Sequence, residues 1–251
     1  MTAPIIPGAE PFSAEGGPQG ALVLHGFTGN PGSMRGVAEA LAAAGCTVDL
    51  PLLPGHGTAI EDMIPTGWSD WYAAADEAYG KLRARCESVA VVGLSMGGAL
   101  TLTLAADHPE IAGIVCINAV VTAPEGMAEG VQALLDAGEE VMDGIGSDIA
   151  DPGSVELAYP QTPLRPLLTM FEAAQTFEGR LDEIACPVLV MSSPQDHVVA
   201  PENSDIIAAG VAGPVERVTL ERSYHVATQD YDRDLINEKV VEFVGRVSTP
   251  T

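Results

Sequence analysis

Short apolar runs bounded by turn residues alternate along this chain with longer segments whose apolar positions recur at helical spacing. That alternation is the pattern of a parallel sheet with crossover helices on both faces. The runs Ala21 to His25, Cys46 to Leu50, Ser88 to Gly93, Gly113 to Asn118, Pro187 to Ser192 and Val215 to Leu220 read as strands. Helices are expected over Ser33 to Ala44, Ser69 to Cys86, Gly97 to Asp107, Pro201 to Val211 and Asp232 to Val247. The rhythm breaks after Asn118, and no strand-like run follows until Pro187. Inside that gap Met127, Val131, Leu134, Leu135, Val141 and Met142 recur near helical spacing, as do Leu164, Leu167, Leu168 and Phe171. An insertion of helices with apolar faces is expected there. There is no internal repeat.

Composition narrows the picture. A chain of 251 residues with 47% hydrophobic and 18% charged residues can bury one core, so a single domain with an insertion is expected. The net charge of -24 repels phosphate backbones and gains nothing from anionic headgroups, which argues against nucleic-acid partners and electrostatic membrane docking. The acidity reads as solubility or a salty habitat. The four cysteines show no metal-ligand spacing and suit reduced thiols in a cytosol. No apolar run approaches the roughly 18 residues needed to cross a bilayer, and Met1 to Pro7 lacks a basic stretch followed by an apolar one. The expectation is a soluble cytoplasmic protein.

Candidate chemistry begins at Gly93-Leu94-Ser95-Met96-Gly97, a GxSxG match. In so glycine-rich a chain the bare match is weak, so its surroundings decide. The apolar run Val89 to Val92 enters it and Ala99 to Ala106 leaves it as a helix, giving the strand, sharp turn and helix that a nucleophile elbow requires. A serine hydroxyl needs a base, and five histidines are present. His25 and His56 sit in glycine-rich loops, His108 ends a helix and His197 follows an acid. Only His225 lies between the last expected strand and the final helix, where it can swing over the C-terminal edge of the sheet. With an elbow of this kind the acid falls between serine and histidine in chain order, and Asp196, in the turn after Pro187 to Ser192, fits that place. Glu221 and Asp230 beside His225 read as surface charges or loop hydrogen-bond partners. The same architecture draws its oxyanion donors from the backbone N–H groups of Met96, after the nucleophile, and Phe27, in Leu24-His25-Gly26-Phe27-Thr28-Gly29. His25 is expected only to brace that loop.

These pieces, LHGFTG at 24 to 29, LPGHG at 53 to 57, GLSMGG at 93 to 98, SPQDHVV at 193 to 199 and SYHVATQDYD at 223 to 232, resemble the bacterial carboxylesterase and monoacylglycerol lipase family of the α/β-hydrolase superfamily. The resemblance runs from about Ala21 to the final helix. It implies an α/β-hydrolase fold with a mostly parallel central sheet, helices on both faces, and a small helical cap after the sixth core strand. The core would span 1–121 and 181–251, and the cap 122–180. It also implies a serine carboxylic-ester hydrolase with Ser95, Asp196 and His225 as its triad, acting on a small ester or lipid without metal or organic cofactor. Within that family a cap glutamate reads the glycerol hydroxyls, and Glu156 stands at the matching position, with Ile145 lining the alcohol pocket. Glu156 could instead be a helix-terminus residue or pair with Arg165. Monoacylglycerol hydrolysis to fatty acid and glycerol is the reading, with a broad carboxylesterase as the nearest alternative and a non-catalytic binding protein as another. A haloalkane dehalogenase needs a carboxylate where Ser95 stands. Two departures from the family pattern are Tyr224, where many hydrolases carry glycine, and a start too short for two full leading strands.

Overall fold

The computed structural model describes residues 3–248. In chain order its elements are β1 (Phe12–Ala14), β2 (Gln19–Leu24), α1 (Arg35–Ala43), β3 (Thr47–Leu50), α2 (Ile60–Met63), α3 (Trp68–Arg83), β4 (Ser88–Leu94), α4 (Met96–Asp107) and β5 (Gly113–Ile117). There follow α5 (Met127–Asp136), β6 (Val141–Asp143), β7 (Gln161–Pro163), α6 (Leu164–Glu178), β8 (Val188–Ser192), α7 (Glu202–Gly210), β9 (Val215–Thr219) and α8 (Arg233–Val247). Seven strands form one sheet in the order β1-β3-β2-β4-β5-β8-β9. Only β1 runs antiparallel, pairing Phe12 with Leu50 and Ala14 with Val48 at one edge. All six strands and five helices read from the sequence are present within a few residues.

Each central strand divides its side chains between two cores, as the period of two along a strand requires. Leu22, Leu24, Val89, Val91, Ile114, Cys116, Val188 and Val190 face one cluster, with α3 and α4 above them. Ala21, Val23, Ala90, Val92, Val115, Ile117, Leu189 and Met191 face the other, covered by α1 and α8. Burial on both faces explains why these strands read as continuous apolar runs rather than alternating ones. α4 is covered from all sides, with nine of its twelve residues buried. Leu164, Leu167, Met170 and Phe171 of α6 join the first cluster, so the inserted segment is packed on the core rather than hung from it.

Two details differ from the sequence reading. Val141 and Met142 lie in β6, which pairs antiparallel with β7 (Met142 with Thr162), and not in a helix. Strands of three residues are too short for a period of two to be told from one of 3.6, and pairing across the segment decides the matter. At the other end of the chain a single short strand, β1, precedes β2, so the insertion follows the fifth strand counted along this chain.

Packing is tight where α4 leaves the sheet. A side-chain carbon on Gly97 would stand 2.3 Å from the Leu24 carbonyl oxygen, whereas one on Gly80, exposed near the end of α3, would meet nothing within 4 Å. Gly97→Ala is therefore expected to destabilise the protein by about 3 kcal/mol, a fall of roughly 6–12 °C in Tm. Gly80→Ala should stabilise it by about 0.5–1 kcal/mol. Thermal unfolding of the two variants checks both signs.

Candidate active site

Ser95 lies between β4 and α4 with φ 56° and ψ -118°, a left-handed conformation that a non-glycine residue holds only under constraint from its surroundings. The constraint is visible: the Ser95 N–H donates to Ile117 O at 3.0 Å, and Ser95 O accepts the first α4 bond from Ala99 N at 3.1 Å. On Gly93 a side-chain carbon would sit 2.1 Å from Gly97 O, so the strand and helix can close on each other only with glycine at 93. The hydroxyl is thereby raised at a helix N-terminus, where developing negative charge is favoured.

The loop after β2 passes directly beside it. A side-chain carbon on Gly26 would lie 3.4 Å from Ser95 Cβ. His25, fully buried, braces this loop: its Nδ1 lies 3.0 Å from Gly26 O, which can only accept, and its Nε2 takes the Leu53 N–H at 3.2 Å. Burial lowers the His25 pKa to about 4 and that of His56 to about 3, the nearby His25 adding to the second shift. Both rings are thus neutral at pH 7 and serve as packing, stacked edge to face at 5.0 Å, with Trp71 completing the wall behind Phe27. Among the described residues the Phe27 N–H meets no acceptor, and Met96 opens α4, where an N–H has no preceding turn to bond.

The acid and base expected from the sequence meet. His225 Nδ1 is 2.7 Å from Asp196 Oδ2, with the Asp196 side chain 1% exposed and that of His225 9%. The other carboxylate oxygen of Asp196 accepts the N–H groups of Val198 and Val199, each at 2.8 Å, so the turn after β8 holds it against the imidazole. Ser95 and His225 open onto one cavity of about 260 Å³, and no other histidine does. His108 pairs with Asp76 at 2.6 Å on another part of the molecule, and His197 pairs with Asp148 at 2.8 Å.

Most of the cavity wall is apolar, with Leu167, Met170 and Phe171 from α6 facing Val198 and Val199. Glu156 and Ile145 also line it. Ile145 is 65% exposed, which puts it at the mouth. Glu156 lies against the loop beside Ser95, its Oε1 so near Gly29 that an added side-chain carbon would stand 3.0 Å away. Among the described residues it makes no ion pair with Arg165 and its carboxylate accepts no hydrogen bond. Burial without a partner pushes its pKa up to about 7, with the His225 charge pulling the other way.

Sequence reasoning passed over Asn118 and Tyr159, which help to hold this site, and left Asp230 between two roles. Asn118, at φ 43°, donates Nδ2 to His225 O at 2.8 Å and accepts Ser193 N at 2.8 Å, joining the ends of β5 and β8 to the histidine loop. Asp230 is completely buried and accepts the N–H groups of Ala150, Asp151, Tyr224 and Tyr231, so of its two expected roles it is the loop hydrogen-bond partner. Tyr159 accepts Thr58 N at 3.0 Å and donates to Gly55 O at 2.8 Å. An Asn directly after a strand was the one local signal; the others need the third dimension.

A parallel sheet with a serine elbow at the C-terminal end of β4, and an insertion over that end, defines the α/β-hydrolase class. The chain belongs to the alpha/beta hydrolase family, whose sequence profile matches residues 21–238. It is 49% identical to the thermostable monoacylglycerol lipase of Bacillus sp. (strain H-257) over 97% of each chain, and 31% identical to a carboxylesterase of Bacillus subtilis (strain 168) over 95% of this chain and 97% of that one. A solved structure from work on LipS and LipT, two metagenome-derived lipolytic enzymes, superposes with a TM-score of 0.93 at 42% identity, covering 97% of this chain and all of that one. Like these relatives, the chain is a hydrolase of the lipase and esterase type. Among the described residues no helix is long and apolar enough to cross a membrane.

Glu156 also sets a stability expectation. Because its folded pKa of about 7 lies above the ordinary 4.5, the unfolded chain gives up this proton first as pH rises. Ionising it in the fold therefore destabilises progressively between those two values, and in full above 7, by up to about 3 kcal/mol. Glu156→Gln is expected to raise Tm by several degrees at pH 8.5 and hardly at all at pH 4.5, measured by calorimetry across that range.

Proposed function

We propose that the chain hydrolyses monoacylglycerols to fatty acid and glycerol through an acyl-enzyme on Ser95. The carrying observation is the buried Asp196 and His225 pair opening, with Ser95, onto one apolar cavity whose unpartnered carboxylate is Glu156. His225 Nε2 takes the hydroxyl proton as Ser95 Oγ attacks the ester carbonyl. Asp196 keeps the Nδ1 proton in place and stabilises the imidazolium, while the Phe27 and Met96 N–H groups hold the oxyanion. The proton passes from His225 to the departing alcohol oxygen as the ester C–O bond breaks. Water, activated by the same imidazole, then releases the acid. None of these steps needs a cofactor.

Residues 122–180 serve in this reading as a cap over the site. Its α6 face lines the acyl channel, Glu156 accepts hydrogen bonds from the glycerol hydroxyls, and Ile145 contacts the alcohol at the mouth. A carboxylate left unpaired by a plain alkyl ester favours the ligand that can satisfy it. The 49% identity to a monoacylglycerol lipase supports this, and the 31% identity to a carboxylesterase favours a second reading, a broad carboxylesterase of short to medium acyl esters. Four unbridged cysteines and a net charge of -24 suit a cytoplasmic enzyme whose partner is a small ester rather than nucleic acid.

A fluorophosphonate should label Ser95, as peptide mass will tell, and Ser95→Ala should lose turnover; a variant that keeps it defeats the hydrolase mechanism. Asp196→Asn should lower kcat by roughly 10³- to 10⁴-fold. Glu156→Ala should lower kcat/KM on monoacylglycerol relative to nitrophenyl butyrate by about 10- to 100-fold. An unchanged ratio would leave the broad carboxylesterase.

A further inference from the structure

The imidazole of His225 is aimed from a loop with little structure of its own, a 3-10 turn at Ala227–Gln229 being its one regular piece. Its backbone must therefore be fixed from outside. On one side the His225 carbonyl accepts from Asn118, which belongs to the core. On the other, the His225 N–H donates to Asp148 Oδ2 at 3.0 Å, and the next N–H, that of Val226, donates to the Asp148 carbonyl at 3.1 Å. Asp148 comes from the inserted segment between β6 and β7.

Asp148 is itself tightly held. Its side chain is 13% exposed, Oδ1 lies 2.8 Å from His197 Nδ1, and Oδ2 also accepts the His197 N–H at 3.2 Å. His197 directly follows Asp196, so one carboxylate spans the loop that carries the acid and the loop that carries the base. Hydrogen bonds to an ionised carboxylate are the shorter and stronger kind. Next to it Asp230 binds Ala150 and Asp151 of the insertion together with Tyr224 and Tyr231 of the histidine loop. The same stretch of insertion is anchored at its far end, where Tyr159 N–H donates to Thr28 O at 3.1 Å. Glu156 lies between the two anchors.

We infer that Asp148 is a positioning residue for His225: the geometry that makes the base effective is supplied jointly by the core, through Asn118, and by the insertion, through Asp148. The insertion then contributes to the chemical step as well as to substrate selection. This rests on His225 being the base, as proposed above. A base displaced by about 1 Å can lose two orders of magnitude in rate.

The test uses Asp148→Asn and Asp148→Ala in the full-length enzyme. The readouts are kcat and KM on nitrophenyl butyrate and on a monoacylglycerol, the rate of Ser95 labelling by a fluorophosphonate, and Tm. The expected result is a fall in kcat and in labelling rate of about 10- to 100-fold in Asp148→Ala on both substrates, with KM changed less than about 3-fold. Asp148→Asn, which keeps an accepting oxygen of the same reach, should recover part of that loss. If Asp148→Ala does not fold, a fall in kcat in Asp148→Asn at unchanged KM carries the inference, and wild-type kcat in that variant overturns it. A loss confined to KM, or to Tm with kcat intact below the transition, also overturns it, since that is what a purely structural tether gives. Should Ser95→Ala be inactive while both Asp148 variants keep wild-type kcat, the positioning role fails and the hydrolase reading stands. Should Ser95→Ala keep turnover, the hydrolase reading itself fails.

Discussion

Where α4 leaves the sheet, the backbone of its first turn lies against the Leu24 and His25 carbonyls at the end of β2, with a side-chain carbon on Gly97 excluded by both. The same approach brings the loop after β2 alongside Ser95, which holds its left-handed conformation there, so the serine and the neighbouring N–H groups share one contact. Strain of this kind costs on the order of 1–3 kcal/mol and persists because buried strands on either side over-determine the turn. The remaining parts of the candidate site are arranged around that fixed point: the loops carrying Asp196 and His225 leave β8 and β9 on the same edge of the sheet, and the insertion leaves β5 there.

A second regularity concerns charge. The chain is strongly acidic, yet it buries carboxylates around the histidine loop, and each of these accepts at least one backbone N–H. Asp196 takes those of Val198 and Val199, Asp230 takes four, and Asp232 takes Arg222 N with the Ser223 hydroxyl. Backbone donors stabilise an anion without introducing a competing cation, and they fix loops that have no ladder of their own. Glu156 is the contrast. It is placed against the cavity wall with no donor of its own, and its raised pKa expresses that deficit.

The insertion is thus two things at once. Through α6 it extends the hydrophobic core over the end of the sheet, and through the stretch around Asp148 to Tyr159 it is hydrogen-bonded to the loops after β2 and β9. A segment joined to both sides of the cavity can set its width and the geometry of the groups lining it.

Much of this was legible from the letters. Six strands and five helices could be read because parallel strands buried on both faces are continuous apolar runs, and because the tight turn after β4 requires glycine at 93 and 97. Ser95, Asp196 and His225 could be singled out by their places after successive strands, since chain order and sheet edge together leave few candidates. β1, β6 and β7 could not be, because three residues carry no measurable period and their strand character comes from a partner distant in sequence. The same holds for the partners of Asp148 and Tyr159, while Asn118 showed only its place after a strand and Asp230 only a choice between two roles. Nothing local distinguishes a surface aspartate from one that collects N–H groups from two loops, and Asp148 lies 77 positions from the histidine it supports. The sequence by itself singled out Ser95, Asp196 and His225 as candidates, through patterns confined to single elements; only the folded chain decided what holds them in place, because hydrogen bonds between loops are made by proximity in space and leave no periodic trace along the chain.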